Sequence, residues 1–237
     1  MVVYSFYYPE KGVMERLRDH ILTALETFNV NSKLVKFGEK LNKNFYKILR
    51  YSIIFHDFGK IPFNQYTFNP NKRLDFSGHE IISCYATDIY LTKILEKDSD
   101  FTNECKKIIL LAILLHHHPM KLKERLQRLS RTNNMMINSE TFKIFYQEID
   151  GIKDMQFIPI QISKSINEMV AEVDGRWGLM RELWREIWMN SDSKVKKTFL
   201  LTMQGLISAD YNSAIKLRGN GEKDFAKTIH LFLKFYS

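Results

Sequence analysis

His56 and Asp57 are adjacent and are followed by Phe58-Gly59-Lys60, so five residues carry an imidazole, a carboxylate, a tight-turn residue and a cation. Imidazole nitrogens and carboxylate oxygens both bind divalent metals, and one ion can use both of these side chains. Asp57 has two oxygens and can also bridge to a second ion, which an imidazole cannot do without losing a proton. A His-Asp pair at a helix end also reads as a simple hydrogen-bonded pair, but this one has company. His79 follows in Gly78-His79-Glu80, His116-His117-His118 precedes Pro119, and Asp210 sits in Leu206-Ile207-Ser208-Ala209-Asp210-Tyr211. An acid in an apolar helix is costly to bury unless it is neutralised or paired, and a metal ion pairs it well.

These residues must be held by helices. Glycine and proline are scarce, and apolar residues recur at helical rather than alternating spacing, so the chain reads as all-α. Residues 13–28 place Val13, Leu17, His20, Ile21, Ala24 and Phe28 on one stripe, and residues 48–58 form a second apolar helix stopped by Gly59. A polar, proline-containing loop is expected over 61–77, with Ser77 as cap of a helix running from Gly78-His79-Glu80 to about Leu95. A helix from about Asn103 ends in the histidine triplet, because proline disfavours helical geometry in the residue before it. Residues 131–162 read as a loop or small helical insertion, and helices resume over 163–174, 176–190, 193–217 and 222–235. No strand-rich region, repeat or linker stands out, so 1–237 is taken as a single domain.

The net charge of +8 and pI near 9.3 favour an anionic partner such as nucleic acid or nucleotide. Lys121, Lys123, Arg125, Arg128 and Arg131 form one basic cluster and Lys194, Lys196 and Lys197 another, although each also reads as a solvated helix face. The longest apolar run, 108–115, falls far short of the roughly 20 residues that span a membrane. The N-terminus lacks the pattern of an export signal, and Cys84 and Cys105 are too few for a disulfide framework. A cytoplasmic protein with reduced thiols is expected.

The order His20, His56-Asp57-Phe58-Gly59-Lys60, His79, adjacent histidines within 116–118, and a distant Asp210 resembles the HD superfamily of metal-dependent phosphohydrolases. The resemblance runs from His20 to Asp210. Within the superfamily, the upstream His20, the adjacent histidines and the Ser-Ala-Asp-Tyr context look like the HD nuclease of type I CRISPR-associated systems. That domain is mostly fused to a helicase, whereas this chain has no Gly-x-x-x-x-Gly-Lys-[Ser/Thr] phosphate loop, so it resembles the stand-alone nuclease subunit.

The resemblance implies an HD-type helical bundle with a metal site in its core cleft, hydrolysing single-stranded DNA with two divalent ions: Mn, Mg, Ni or another transition metal. His20, His56, Asp57 and Asp210 would hold one ion; Asp57, His79 and two adjacent histidines of the triplet would hold the other. The family usually has two histidines before a glycine. Here three precede Pro119, so the choice among His116, His117 and His118 stays open, with His117 in either pair. Lys60 matches the superfamily's lysine, which would contact a substrate phosphate or position the attacking water. Implied partners are a separate helicase subunit and a crRNA-guided surveillance complex.

Lys60, Lys72 and Arg73 are candidate nucleic-acid contacts, with Phe63, Tyr66, Phe68 and Phe76 as stacking faces; the same aromatics also suit packing the loop onto the core. An HD phosphohydrolase acting on a small nucleotide would use the same ligands. A metal-stabilised binding subunit without turnover is a third reading, against which the complete ligand set argues. His230 lies outside the pattern and reads as structural.

Overall fold

The computed structural model describes residues 1–117, 122–132, 134–153, 155–174, 178–219 and 223–236. Helix makes up 65% of the described residues and strand 7%, so the fold is mostly helical, as expected. It opens, however, on an antiparallel hairpin: β1 (Tyr4–Tyr8) and β2 (Val13–Arg16), joined by a 3-10 turn at Pro9–Lys11 and by Gly12 at φ +64°. The 13–28 stripe is therefore not one helix. Residues 13–16 pair with β1, whose tyrosines and phenylalanine suit a pleated surface. The helix α1 (Leu17–Leu25) begins only where the Leu17 amide bonds to the Val3 carbonyl.

After α2 (Lys33–Leu41), α3 (Phe45–Phe55) is apolar on nearly every face and is correspondingly enclosed. Two further helices surround it: α5 (His79–Leu95), and α6 (Asn103–Leu115), whose residues 108–115 are all buried. Between α3 and α5 the chain turns through His56 to Gly59 and forms α4 (Lys60–Tyr66), a stretch read from sequence as loop. Pro62 misleads there. It lies in the first turn of α4, where a missing N–H costs no helical hydrogen bond. Ser77 does not cap α5 either. Its amide and hydroxyl both bond to Asp75 Oδ1, at 3.0 and 2.6 Å, and the cap position belongs to Gly78 at φ +91°.

Helix α7 (Leu122–Leu129) leads into a second small sheet, in which β3 (Met136–Asn138) pairs antiparallel with β4 (Ser163–Ser165). Between these strands lies α8 (Ser139–Glu148), started by a reciprocal cap between Asn138 and Thr141. The 131–162 segment is thus a folded insertion clasped at its base by strands. Residues 163–165 are strand rather than helix, and α9 (Ile166–Asp174) follows them. Next comes α10 (Leu179–Trp184), which continues into a π-helical turn at Arg185–Met189. The long α11 (Ser193–Arg218) is capped by the Asp192 carboxylate on the amides of Lys194 and Val195. It crosses α1, α2, α3 and α6, and α12 (Lys223–Tyr236) closes the chain against it. No helix among the described residues is long and apolar enough to cross a membrane.

One close approach fixes the centre of this arrangement. A Cβ on Gly59 would lie 2.0 Å from the His79 carbonyl oxygen, and the Gly59 amide donates to Ser83 Oγ at 2.8 Å. The turn after α3 is thereby seated against the first turn of α5. Gly59→Ala is expected to cost about 3 kcal/mol, a fall in melting temperature of roughly 6–12 °C for a domain of this size, readable by calorimetry.

Candidate metal centre

Helix ends bring the site together. His56 follows α3, His79 opens α5, and His116 and His117 follow α6. Three of these rings are oriented by the backbone carbonyl three residues earlier. His56 Nδ1 lies 2.7 Å from Ile53 O, His79 Nδ1 2.8 Å from Phe76 O, and His116 Nδ1 2.5 Å from Ile113 O. A carbonyl oxygen can only accept, so each Nδ1 donates to it and Nε2 is left as the ring atom turned toward the centre. His20, on α1, follows the same rule with a different partner, the Glu15 carboxylate, 2.6 Å from Nδ1.

Three of the Nε2 atoms, those of His20, His56 and His79, face two aspartates. His20 Nε2 lies 3.3 Å from His56 Nε2, 3.1 Å from Asp210 Oδ1 and 3.4 Å from Asp57 Oδ2. His56 Nε2 is 3.5 Å from Asp57 Oδ2 and 3.7 Å from Asp210 Oδ1. The other Asp57 oxygen turns the opposite way, with Oδ1 3.0 Å from His79 Nε2. Two donor sets result, His20–His56–Asp210 and His79–His116–His117, each with ligand atoms within 4.8 Å of one another, and Asp57 stands between them. The ring contacts of His116 with His56, His79 and His117 carry the cluster across both halves.

Around Asp57 and Asp210 the environment favours positive charge. His20, His56, Asp57, His79 and His116 are all buried; Asp210, with a side chain 20% exposed, and the half-buried His117 are the members that meet solvent. Burial works against ionising Asp57, yet the charges of His56 and Lys60 and the proximity of His79 and His20 hold it well below the usual carboxylate range. Burial likewise opposes ionisation of Asp210, and its bonds with His20 and His56 overcome it. His20 is pushed up to about 9: burial opposes its charge, but Asp210 and Glu15 hydrogen-bond to it and Asp57 adds attraction. Carboxylates that hold a proton on His20 so firmly would hold a metal ion in its place. His116 falls to about 4 and His117 well below the imidazole range, first through burial and then through neighbouring histidines, leaving both neutral and able to ligate.

Among the described residues, five buried side-chain polar atoms lack a hydrogen bond, and three of them belong here: Asp57 Oδ1, His79 Nε2 and His116 Nε2. Asp57 Oδ1 and His79 Nε2 are close but not aligned as donor and acceptor. Buried orphans cost free energy, and lone pairs converging without protons between them fit a cation. The donor set therefore suits divalent metals, with its imidazole-rich half suited to transition ions.

Every expected ligand that the structure describes is in this cluster, including Asp210, far away in sequence; His118 lies outside the described residues. The adjacent pair next to His79 is His116–His117. Lys60 is 7% exposed and donates to Asp57 Oδ2 at 2.7 Å, so it is part of the site. Lys72 is exposed, and Arg73 lies over the Phe6 and Tyr8 rings of the hairpin. Phe63 is core, Phe76 sits between Phe63 and the Lys60 ammonium, and Phe68 stacks on Tyr4; Tyr66 is exposed. In the first basic cluster, Lys121 falls outside the described residues and Arg125 grips Glu80 with two bonds of 2.6 and 2.7 Å. Cys84 and Cys105 are free and buried, and His230 is exposed on α12.

Sequence reading missed the outer layer: Glu15 and Ser213 on His20, Arg218 on Glu15, and the Glu80–Arg125 pair beside His79. Glu80 alone carried a signal, as an acid in an apolar helix next to a candidate ligand. No protein-family model and no curated protein matches this chain, so the site stands on its own geometry.

Adding Mn or Ni at about 100 times its dissociation constant to metal-stripped protein is expected to stabilise the fold by about 2.7 kcal/mol, a rise of roughly 5–10 °C in a thermal-shift assay. Asp57→Ala is expected to abolish that rise.

Proposed function

We propose that this chain is a metal-dependent phosphodiesterase of the HD type that cuts single-stranded DNA, acting as the stand-alone nuclease subunit of a type I CRISPR interference system. The observation that carries the reading is the convergence of the His20, His56 and His79 Nε2 atoms on two aspartates, with Asp57 facing both donor sets. His20, His56, Asp57 and Asp210 would hold one divalent ion, and Asp57, His79, His116 and His117 the other. Bound there, the metals would supply a hydroxide at neutral pH and Lewis-acid stabilisation of the leaving oxygen.

The chain's own residues do the rest. Lys60, a buried cation beside Asp57, offers a point charge to a phosphate oxygen without itself ligating a metal. The carbonyls of Ile53, Phe76 and Ile113 hold three imidazoles in one tautomer, so no reorganisation is needed when ligands engage. Burial of most of the cluster keeps bulk water from the reacting phosphate. A recessed centre of this kind favours a single strand, whose phosphates can be threaded singly, over a rigid duplex. The net charge of +8 and the exposed Lys72, Arg73, Arg128, Arg131, Lys194 and Lys197 support an anionic polymer as substrate. A separate helicase and a crRNA-guided surveillance complex, in the cytoplasm, would deliver the strand.

Metal-stripped protein incubated with end-labelled single-stranded DNA is expected to cut when Mn, Mg or Ni is restored, and Asp57→Ala to remain inactive. Phosphate release from small nucleotides with no DNA cutting under any metal would assign the site to a nucleotide phosphohydrolase instead. Lys60→Gln is expected to keep the metal-induced thermal shift while cleavage falls roughly 100-fold, as for loss of one transition-state charge contact. Wild-type cleavage by that variant would remove Lys60 from the mechanism.

A further inference from the structure

The ligand histidines are not oriented alike. His56, His79 and His116 give their Nδ1 proton to neutral backbone carbonyls, whereas His20 gives it to a carboxylate. Glu15, on β2, is buried, with Oε1 2.6 Å from His20 Nδ1. Its other oxygen accepts from Arg218, in the last turn of the helix that carries Asp210. The Arg218 guanidinium lies 4.5 Å from the Phe6 ring of β1, and Ser213 braces the same histidine, donating to the His20 carbonyl at 2.9 Å. Glu15 is thus fixed from both sides.

A carboxylate on one ring nitrogen strengthens the other as a donor and locks ring orientation. Among the described residues, the opposite half has no equivalent. Glu80 does lie near His79, with Oε2 3.6 Å from Nδ1, but that nitrogen bonds to Phe76 O and both Glu80 oxygens are engaged by Arg125. Negative charge is also uneven: the first half has Asp210 and a share of Asp57 with Glu15 behind, while among the described residues the second has its share of Asp57 among three imidazoles and Asp210 only at longer range.

We propose that Glu15 is the positioning residue for His20 and makes the two halves of the centre unequal, the His20–His56–Asp210 half holding its cation more tightly than the His79–His116–His117 half. This rests on the reading of the cluster as a two-metal centre. The weaker half is then the exchangeable one, filled last and lost first as metal falls, so occupancy of that half sets activity.

Isothermal titration of the metal-stripped full chain with Mn distinguishes the cases. The wild type is expected to bind in two steps of different affinity. Glu15→Gln, which keeps the shape and an acceptor but removes the charge, is expected to weaken the tighter step by roughly 10–100-fold and leave the weaker one in place. His117→Ala is expected to do the reverse. Should Glu15→Gln alone fold poorly by circular dichroism, the Glu15→Gln/Arg218→Gln pair removes both charges together and is expected to show the same selective loss. An unchanged tighter step in a folded variant, or two equal steps in the wild type, overturns the proposal. A wild type that takes up no Mn overturns the metal centre as well, whereas Mn uptake without DNA cutting overturns only the nuclease reading.

Discussion

The structure is organised around one buried anion. Asp57 has almost no access to water, and a carboxylate in that position is tolerable only if cations or donors meet both of its oxygens. Lys60, three residues on, meets one of them directly, and three imidazoles stand within 3.5 Å. To place those rings and Asp210, the end of α3, the start of α5, the middle of α1 and the far part of α11 must converge on the same point. The apolar faces of α3 and α6 supply free energy for that convergence, because most of α3 and all of residues 108–115 of α6 are buried.

Helix termini serve two purposes in this design. The last carbonyls of a helix lack intrahelical partners and need donors. At α3 and α6 those donors are the imidazoles of His56 and His116, so satisfying Ile53 O and Ile113 O also turns Nε2 toward the centre. The tight seating of Gly59 on the His79 carbonyl adds a distance constraint between the two donor sets. Ligand geometry is therefore set by backbone that the fold must satisfy anyway.

The amino-terminal hairpin belongs to the same scheme. Its strand β2 carries Glu15 into the core behind His20, and its aromatic residues pile against Arg73 and Arg218. The electrostatics of the His20 side are thus built by a segment outside the helical bundle, whereas those of the His79 side are built by α5 and α7 through Glu80 and Arg125. Different elements serve the two halves, and this is why they can differ in charge.

Much of the site was legible in the amino-acid sequence because its ligands are chemically unusual: histidines beside acids and glycine at the ends of apolar helices, and an aspartate in an apolar run. Periodicity gave α5, α6 and α11 nearly to their ends, since their apolar residues repeat over several turns. It failed at residues 13–16, where a helical stripe coincides with a strand held by hydrogen bonds to β1, and at α4, where Pro62 sits in the one turn that tolerates it. Local sequence could not decide that His116 and His117 face His79, that Lys60 is buried, or that Glu15, Ser213 and Arg218 stand behind His20. Those are relations between residues up to 203 positions apart, as for Glu15 and Arg218, and only the packing of α1, α11 and the hairpin brings them within hydrogen-bond reach.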